Sequence, residues 1–126
     1  GQIRQILMAL VVNASEAIGD RSGAITVSVD AILCDKEYLR RTEVNDDLPP
    51  GRYVYLEVTD NGCGMNPETQ ARAFEPFFST KFTGRGLGLA AVMGMVRSHM
   101  GAIKVISEPG KGSSFKVLFP ALEDAS

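Results

Sequence analysis

The chain has 126 residues, 44% of them hydrophobic and 22% charged, with a formal net charge of −2. That is the make-up of one ordinary globular domain, long enough to bury a core and without the basic face that nucleic-acid partners require. Cys34 and Cys63 follow no metal-ligand spacing, so reduced thiols in a cytoplasmic setting are expected. No apolar run approaches the roughly 18–20 residues of a membrane span, so no membrane contact is expected, and no signal peptide is visible.

Ile3, Ile6, Leu7, Leu10, Ala14, Ala17 and Ile18 recur at three- and four-residue spacing, which predicts an amphipathic helix ended by Gly19 and the polar residues 20–23. The helix starts with no lead-in, which implies a piece of a longer protein. Residues 24–33 alternate Ile25, Val27 and Val29 against Thr26, Ser28 and Asp30, the pattern of a half-buried strand. Residues 34–51 are polar and end in Pro49-Pro50-Gly51, a loop with room for a helical turn near 37–41. Residues 52–59 form a second strand.

Asn66-Pro67-Glu68 reads as a helix start, with Asn66 as N-cap and Pro67 in the first helical position; this helix should reach about Phe74, before Pro76. Residues 87–100 form a third helix stopped by Gly101. Residues 102–107 and 113–119 make a hairpin around Glu108-Pro109-Gly110-Lys111-Gly112. Striped helices that need one sheet face, together with alternating strands, predict one α+β domain built as a two-layer α/β sandwich.

Four segments carry chemistry. Asn13 follows residues that must face the sheet, and its amide oxygen suits a hard cation such as Mg²⁺. Asp60 follows a strand that should be buried, and a carboxylate at such a strand end can accept from an exocyclic amine; Gly62 and Gly64 then let the backbone pass close to a ligand. Gly84, Gly86 and Gly88 precede a helix whose exposed amides and partial positive charge suit phosphate, with Lys81 and Arg85 beside them. Ser113 supplies a hydroxyl. Read singly, Asn13 is better taken as a helix-surface residue, residues 60–64 equally as an Asx turn, and Phe74-Glu75-Pro76-Phe77-Phe78 as core aromatics or a hinge. The glycine loop is not a P-loop, since no Gly-Lys-Ser/Thr ends it.

As a set these segments resemble the catalytic and ATP-binding domain of sensor histidine kinases, in the superfamily that also holds gyrase, heat-shock chaperone and mismatch-repair ATPases. Residues 5–14 are similar to the N box and Asp60-Asn61-Gly62-Cys63-Gly64-Met65 to the first glycine box. Residues 74–81 are similar to the F box, Gly84-Arg85-Gly86-Leu87-Gly88-Leu89 to the second glycine box, and residues 110–115 to the terminal one.

The resemblance implies a Bergerat-type fold, its mixed and mostly antiparallel sheet covered on one face by helices. It implies ATP and Mg²⁺ as cofactors, Asn13 as metal ligand, Asp60 as the adenine-reading carboxylate, and Gly62, Gly64 and Met65 around the base. Ser113 would stand near the base, directly or through a water. Glu16 and Ala17 would lie beside phosphate and adenine, where some members carry basic and aromatic residues. Residues from about 77 to 85 would form the lid and Gly84, Gly86 and Gly88 the phosphate seat, with Phe74, Lys81, Thr83, Arg85, Leu87 and Leu89 also at the nucleotide site.

The partners implied are a histidine-bearing dimerisation domain of the same kinase, a response-regulator receiver domain, and a second copy in a full-length homodimer. Ala9 stands where hydrolysing relatives place a glutamate base, and alanine cannot take a proton, which argues against an ATP hydrolase. Glu16 and Ala17 also occur in the nitrogen-regulator-like branch. His99, the only histidine, falls at the end of the third helix and is read as a helix C-terminal residue, not a phosphoacceptor. Competing readings are an anti-sigma-type serine kinase, a mechanical ATPase of the gyrase or chaperone sort, and a non-catalytic nucleotide-binding interaction module.

Overall fold

The computed structural model describes residues 2–20, 22–42, 48–72 and 89–121. In chain order the elements are α1 (Gln2–Ile18), β1 (Ile25–Cys34), α2 (Lys36–Arg40), β2 (Gly51–Asp60), α3 (Pro67–Arg72), α4 (Leu89–Ser98), β3 (Ala102–Glu108) and β4 (Gly112–Pro120). The strands form one sheet in the order β1-β2-β4-β3. This is the predicted α+β arrangement. Every pairing among the described residues is antiparallel, so the parallel part of a mixed sheet is not among them.

Register sorts the side chains into two faces, because opposed residues on neighbouring strands point the same way. Val58, Phe115 and Val105 form one row, and Leu56, Val117 and Ile103 the next. Against them pack Ile6, Leu10 and Ala14 of α1 with Val92 and Val96 of α4, giving one continuous core. Each large apolar side chain buried there stabilises by about 1.5–3 kcal/mol. The three- and four-residue spacing in α1 is therefore the imprint of this contact.

The opposite face carries a smaller cluster of Cys34, Leu39, Leu48, Tyr53, Ala102 and Leu118. Its lid is the short α2, an addition to the single helix layer expected. Asp35 caps α2, its Oδ1 accepting the Tyr38 N–H at 2.8 Å. Tyr53 donates its hydroxyl to the Pro49 carbonyl at 2.7 Å, which anchors the loop before β2.

β1 departs from the half-buried strand expected. Val27 and Val29 do face the helix side, opposite Val58 and Leu56, yet Val29 is 65% and Leu33 78% exposed. The alternation is real, but α1 lies over β2 and scarcely reaches this outermost strand.

Helix ends follow local rules with one surprise. Asn66 caps α3, accepting the Thr69 N–H at 2.7 Å. The predicted continuation of α3 to Phe74 and the first two residues of the third helix, 87 and 88, lie outside the described residues. After α4, the Gly101 N–H bonds the Val96 carbonyl at 2.9 Å and the Met100 N–H the Arg97 carbonyl at 3.0 Å, a Schellman pair. The left-handed residue is Met100 (φ 60), not the glycine expected to stop the helix. Gly101 is needed for closeness instead, since a Cβ there would overlap the Leu118 carbonyl oxygen.

Candidate functional site: a buried acid at the junction of a helix, a glycine loop and a hairpin

β2 delivers Asp60 to the helix side of the sheet, where it is only 4% exposed. Its Oδ1 accepts the Gly62 N–H at 2.8 Å, so the Asx turn that explains these residues locally is present. That bond uses one carboxylate oxygen. Among the described residues Oδ2 has no hydrogen-bond partner, which leaves it able to accept from a ligand. Directly across β4 stands Ser113, 7% exposed and on the same face.

Gly62 and Gly64 permit close approach, but to the chain itself. A Cβ on Gly62 would lie 2.6 Å from the Ala17 carbonyl carbon, and one on Gly64 (φ 70) would overlap the Glu108 carbonyl oxygen. Two hydrogen bonds run through the same places: the Cys63 N–H to the Ala17 carbonyl at 3.1 Å, and the Gly110 N–H to the Cys63 carbonyl at 2.7 Å. Gly112 closes the junction from the hairpin, since a Cβ there would overlap the Asp60 carbonyl oxygen. The end of α1, the loop after β2 and the β3–β4 hairpin are thus laced together by backbone contacts.

Two polar residues outside the predicted site set complete the lacing. Asn61 Oδ1 accepts the Ala24 N–H at 2.9 Å, fixing the entry to β1. Ser107 Oγ accepts the Met65 N–H at 2.8 Å, and lies 3.1 Å from the Gly112 carbonyl oxygen and 2.8 Å from Ser113 Oγ. Its signal was available in outline, because the predicted hairpin places Ser107 opposite Ser113.

Asn13 is half-buried on α1, one turn before Ala17, so it shares the helix face that meets the glycine loop. Ala17 is the seat for Gly62, a role that a bulkier neighbour loop would not allow. Glu16 is half-buried. Met65 and Leu89 pack against the main core, with Leu89 opening α4. Ala9 is buried in that core too. His99 is exposed just beyond α4, with its ring edge-on to Phe119 at 5.9 Å. The structure therefore brings Ala17, Asp60, Gly62, Gly64, Met65 and Ser113 to one junction, with Asn13 on its helix. Phe74, Lys81, Thr83, Gly84, Arg85, Gly86, Leu87 and Gly88 lie outside the described residues.

Chemically, the junction offers two buried oxygen acceptors side by side, held by backbone on three sides. Such a pair suits a flat donor group, an amine in particular, and an unmatched group there costs about 1–3 kcal/mol. Among the described residues no three His, Cys, Asp or Glu side chains gather to hold a metal by themselves. A divalent ion at Asn13 would take its remaining ligands from phosphates and water, as Mg²⁺ commonly does. No helix among the described residues is long and apolar enough to cross a membrane.

Comparison with known proteins places the chain in a family. Residues 1–123 match the family described as histidine kinase-, DNA gyrase B-, and HSP90-like ATPases. The chain is 39% identical over 97% of its length to the sensor kinase CckA of Brucella abortus (strain 2308), covering 13% of that protein. It is 36% identical over 99% of its length to the sensory histidine kinase/phosphatase NtrB of Rhizobium leguminosarum bv. phaseoli, covering 32% of it. Among solved structures, full-length ShkA in complex with AMPPNP superposes with a TM-score of 0.69 at 31% identity, over 94% of this chain and 21% of that one. The nucleotide-free catalytic domain of histidine kinase ThkA gives 0.68 at 28% identity, over 94% and 65%. The chain spans less than a third of the length of these curated relatives. By this match it belongs to the histidine kinase-, DNA gyrase B-, and HSP90-like ATPases, an ATP-binding family, and the relatives named above are sensor histidine kinases.

Proposed function

We propose that this chain is the ATP-binding catalytic module of a two-component sensor histidine kinase. It binds Mg-ATP and presents the γ-phosphate to a histidine on a separate dimerisation domain. The observation that carries this reading is the pairing of Asp60 with Ser113, two buried acceptors at a backbone-laced junction beside the helix that bears Asn13.

In this reading Asp60 Oδ2 accepts from the adenine amine, and Ser113 stands beside the same edge. Asn13 would supply one neutral oxygen to Mg²⁺, whose charge would offset that of the phosphates. Gly84, Gly86 and Gly88, which precede α4 in sequence, would hold the phosphates together with Lys81 and Arg85, and residues 77–85 would act as the lid. The full site comprises these with Glu16, Ala17, Gly62, Gly64, Met65, Phe74, Thr83, Leu87 and Leu89. A neutral imidazole nitrogen is already a competent nucleophile, so the module contributes positioning and electrostatic stabilisation rather than a base. Ala9 is consistent with that division, being a buried methyl one turn before Asn13.

The full-length protein would act as a homodimer in the cytoplasm or at the cytoplasmic side of a membrane, and pass its phosphoryl group to a receiver domain. The test is phosphotransfer from γ-labelled ATP. The chain alone should label nothing, and adding the histidine-bearing domain of the parent kinase should give an acid-labile, base-stable phosphohistidine. Label on a serine of the added protein, or hydrolysis of ATP by the chain alone, would contradict the assignment.

A further inference from the structure

Ser107 belongs to none of the segments that identify the site, yet it joins two of them. A serine hydroxyl has one proton and two lone pairs. The Met65 N–H takes one lone pair at 2.8 Å. The remaining neighbours are the Gly112 carbonyl oxygen at 3.1 Å, which can only accept, and Ser113 Oγ at 2.8 Å, which can do either. Ser107 uses all its hydrogen-bonding positions only if its proton goes to Gly112 and Ser113 donates to its second lone pair. In a half-buried network the saturated arrangement is the favoured one.

Ser113 is then a donor toward Ser107, and shows the pocket only lone pairs. Asp60 stands across the register from it and likewise only accepts. We infer that Ser107 is a positioning residue for base selectivity: by taking the Ser113 proton, it makes the pocket an all-acceptor surface that favours a 6-amino purine over a 6-oxo purine. The inference rests on reading the Asp60–Ser113 junction as the base pocket, and it adds a residue that does not itself touch the base.

The test uses this 126-residue chain with Mg²⁺, titrated calorimetrically with ATP and with ITP, which exchanges the 6-amino group for an oxo group, places a proton on N1 and keeps the sugar and triphosphate. The unsubstituted chain should prefer ATP. Ser107→Ala frees the Ser113 proton to turn toward an oxo group, so the ATP-to-ITP affinity ratio should fall about tenfold, chiefly through tighter ITP. Ser107→Thr, which keeps a hydroxyl, should restore the ratio. Equal weakening of both nucleotides in Ser107→Ala would overturn the inference, because a purely structural loss of the Met65 tether acts on both alike.

If Ser107→Ala does not fold, Ser113→Ala decides the point. It should weaken ATP without weakening ITP, and equal losses would again overturn the inference. An unsubstituted chain that binds both nucleotides equally, or neither, would overturn the base-pocket reading itself and the inference with it.

Discussion

Asp60 and Ser113 lie directly opposite each other across β2 and β4, both nearly closed to solvent on the helix-covered side of the sheet. A sheet of this size has many apolar side chains available for such places. Each has an internal partner, the Gly62 N–H for Asp60 and the Ser107 hydroxyl for Ser113, and Asp60 Oδ2 can still accept from a ligand.

Asp60→Asn separates binding from folding. An asparagine oxygen can still accept the Gly62 N–H that Asp60 Oδ1 accepts at 2.8 Å, so the turn should survive. The other position becomes an amide N–H₂ facing an amine, and ATP binding should weaken by about 1–3 kcal/mol. Calorimetry alongside a urea titration checks both halves. A loss of stability matching the loss of affinity would remove the special role of Asp60.

Glycine substitutions should rank by what each Cβ meets. Gly64→Ala, with φ 70 and the Glu108 carbonyl in the way, should destabilise by more than about 2 kcal/mol and abolish nucleotide binding. Gly94→Ala, on an open face of α4, should stabilise by about 0.5–1 kcal/mol. Similar effects from the two in thermal melts would contradict the lacing of loop to hairpin.

The end of α4 gives a paired case. Met100 occupies the left-handed region while 61% exposed, so Met100→Gly should relieve strain at little loss of burial. A gain of about 1 kcal/mol is expected. Gly101→Ala should instead destabilise, because of the Leu118 carbonyl. Denaturant midpoints of the two variants on either side of the unsubstituted chain would bear this out, and the reverse order would refute it.

The two cysteines should behave differently. Cys63 is exposed in the glycine loop, and Cys34 is buried. A thiol reagent should modify Cys63 quickly and Cys34 only on unfolding, and ATP should slow the first reaction. Burial pushes the Cys34 thiol above its ordinary 9.0, with Asp35 adding to the rise and Lys116 opposing it. Burial, with smaller help from the Cys34 charge, likewise raises Tyr38 and Tyr53 above 10.0. Raised values mean that the folded state holds these protons more tightly, so their stabilising contribution is complete below pH 9 and is lost as pH rises past it. Urea midpoints should fall above about pH 9, with the onset moved upward in Cys34→Ala. A stability that rises through that window would show the sign to be wrong.

What could be read from the residues was whatever local periodicity and short segments encode. The spacing of Ile6, Leu10 and Ala14 located α1, and the strand ending at Asp60 located the acid. What could not be read depends on distant segments meeting. Gly62 and Gly64 looked like glycines for a ligand, whereas they fit against Ala17 and Glu108, residues 45 and 44 positions away in sequence by subtraction. The exposure of Val29 depends on how far α1 reaches across the sheet, which no alternation reveals. Ser107 escaped notice because its meaning lies in the register with Ser113 rather than in any motif of its own.

The most direct test of the account is a calorimetric titration of ATP into this chain, with Mg²⁺ present and with it chelated. The account predicts saturable one-site binding that weakens when the metal is removed, and weakens likewise in Asn13→Ala with Mg²⁺ present. An absence of binding at millimolar ATP, or an affinity indifferent to both Mg²⁺ and Asn13, would contradict it.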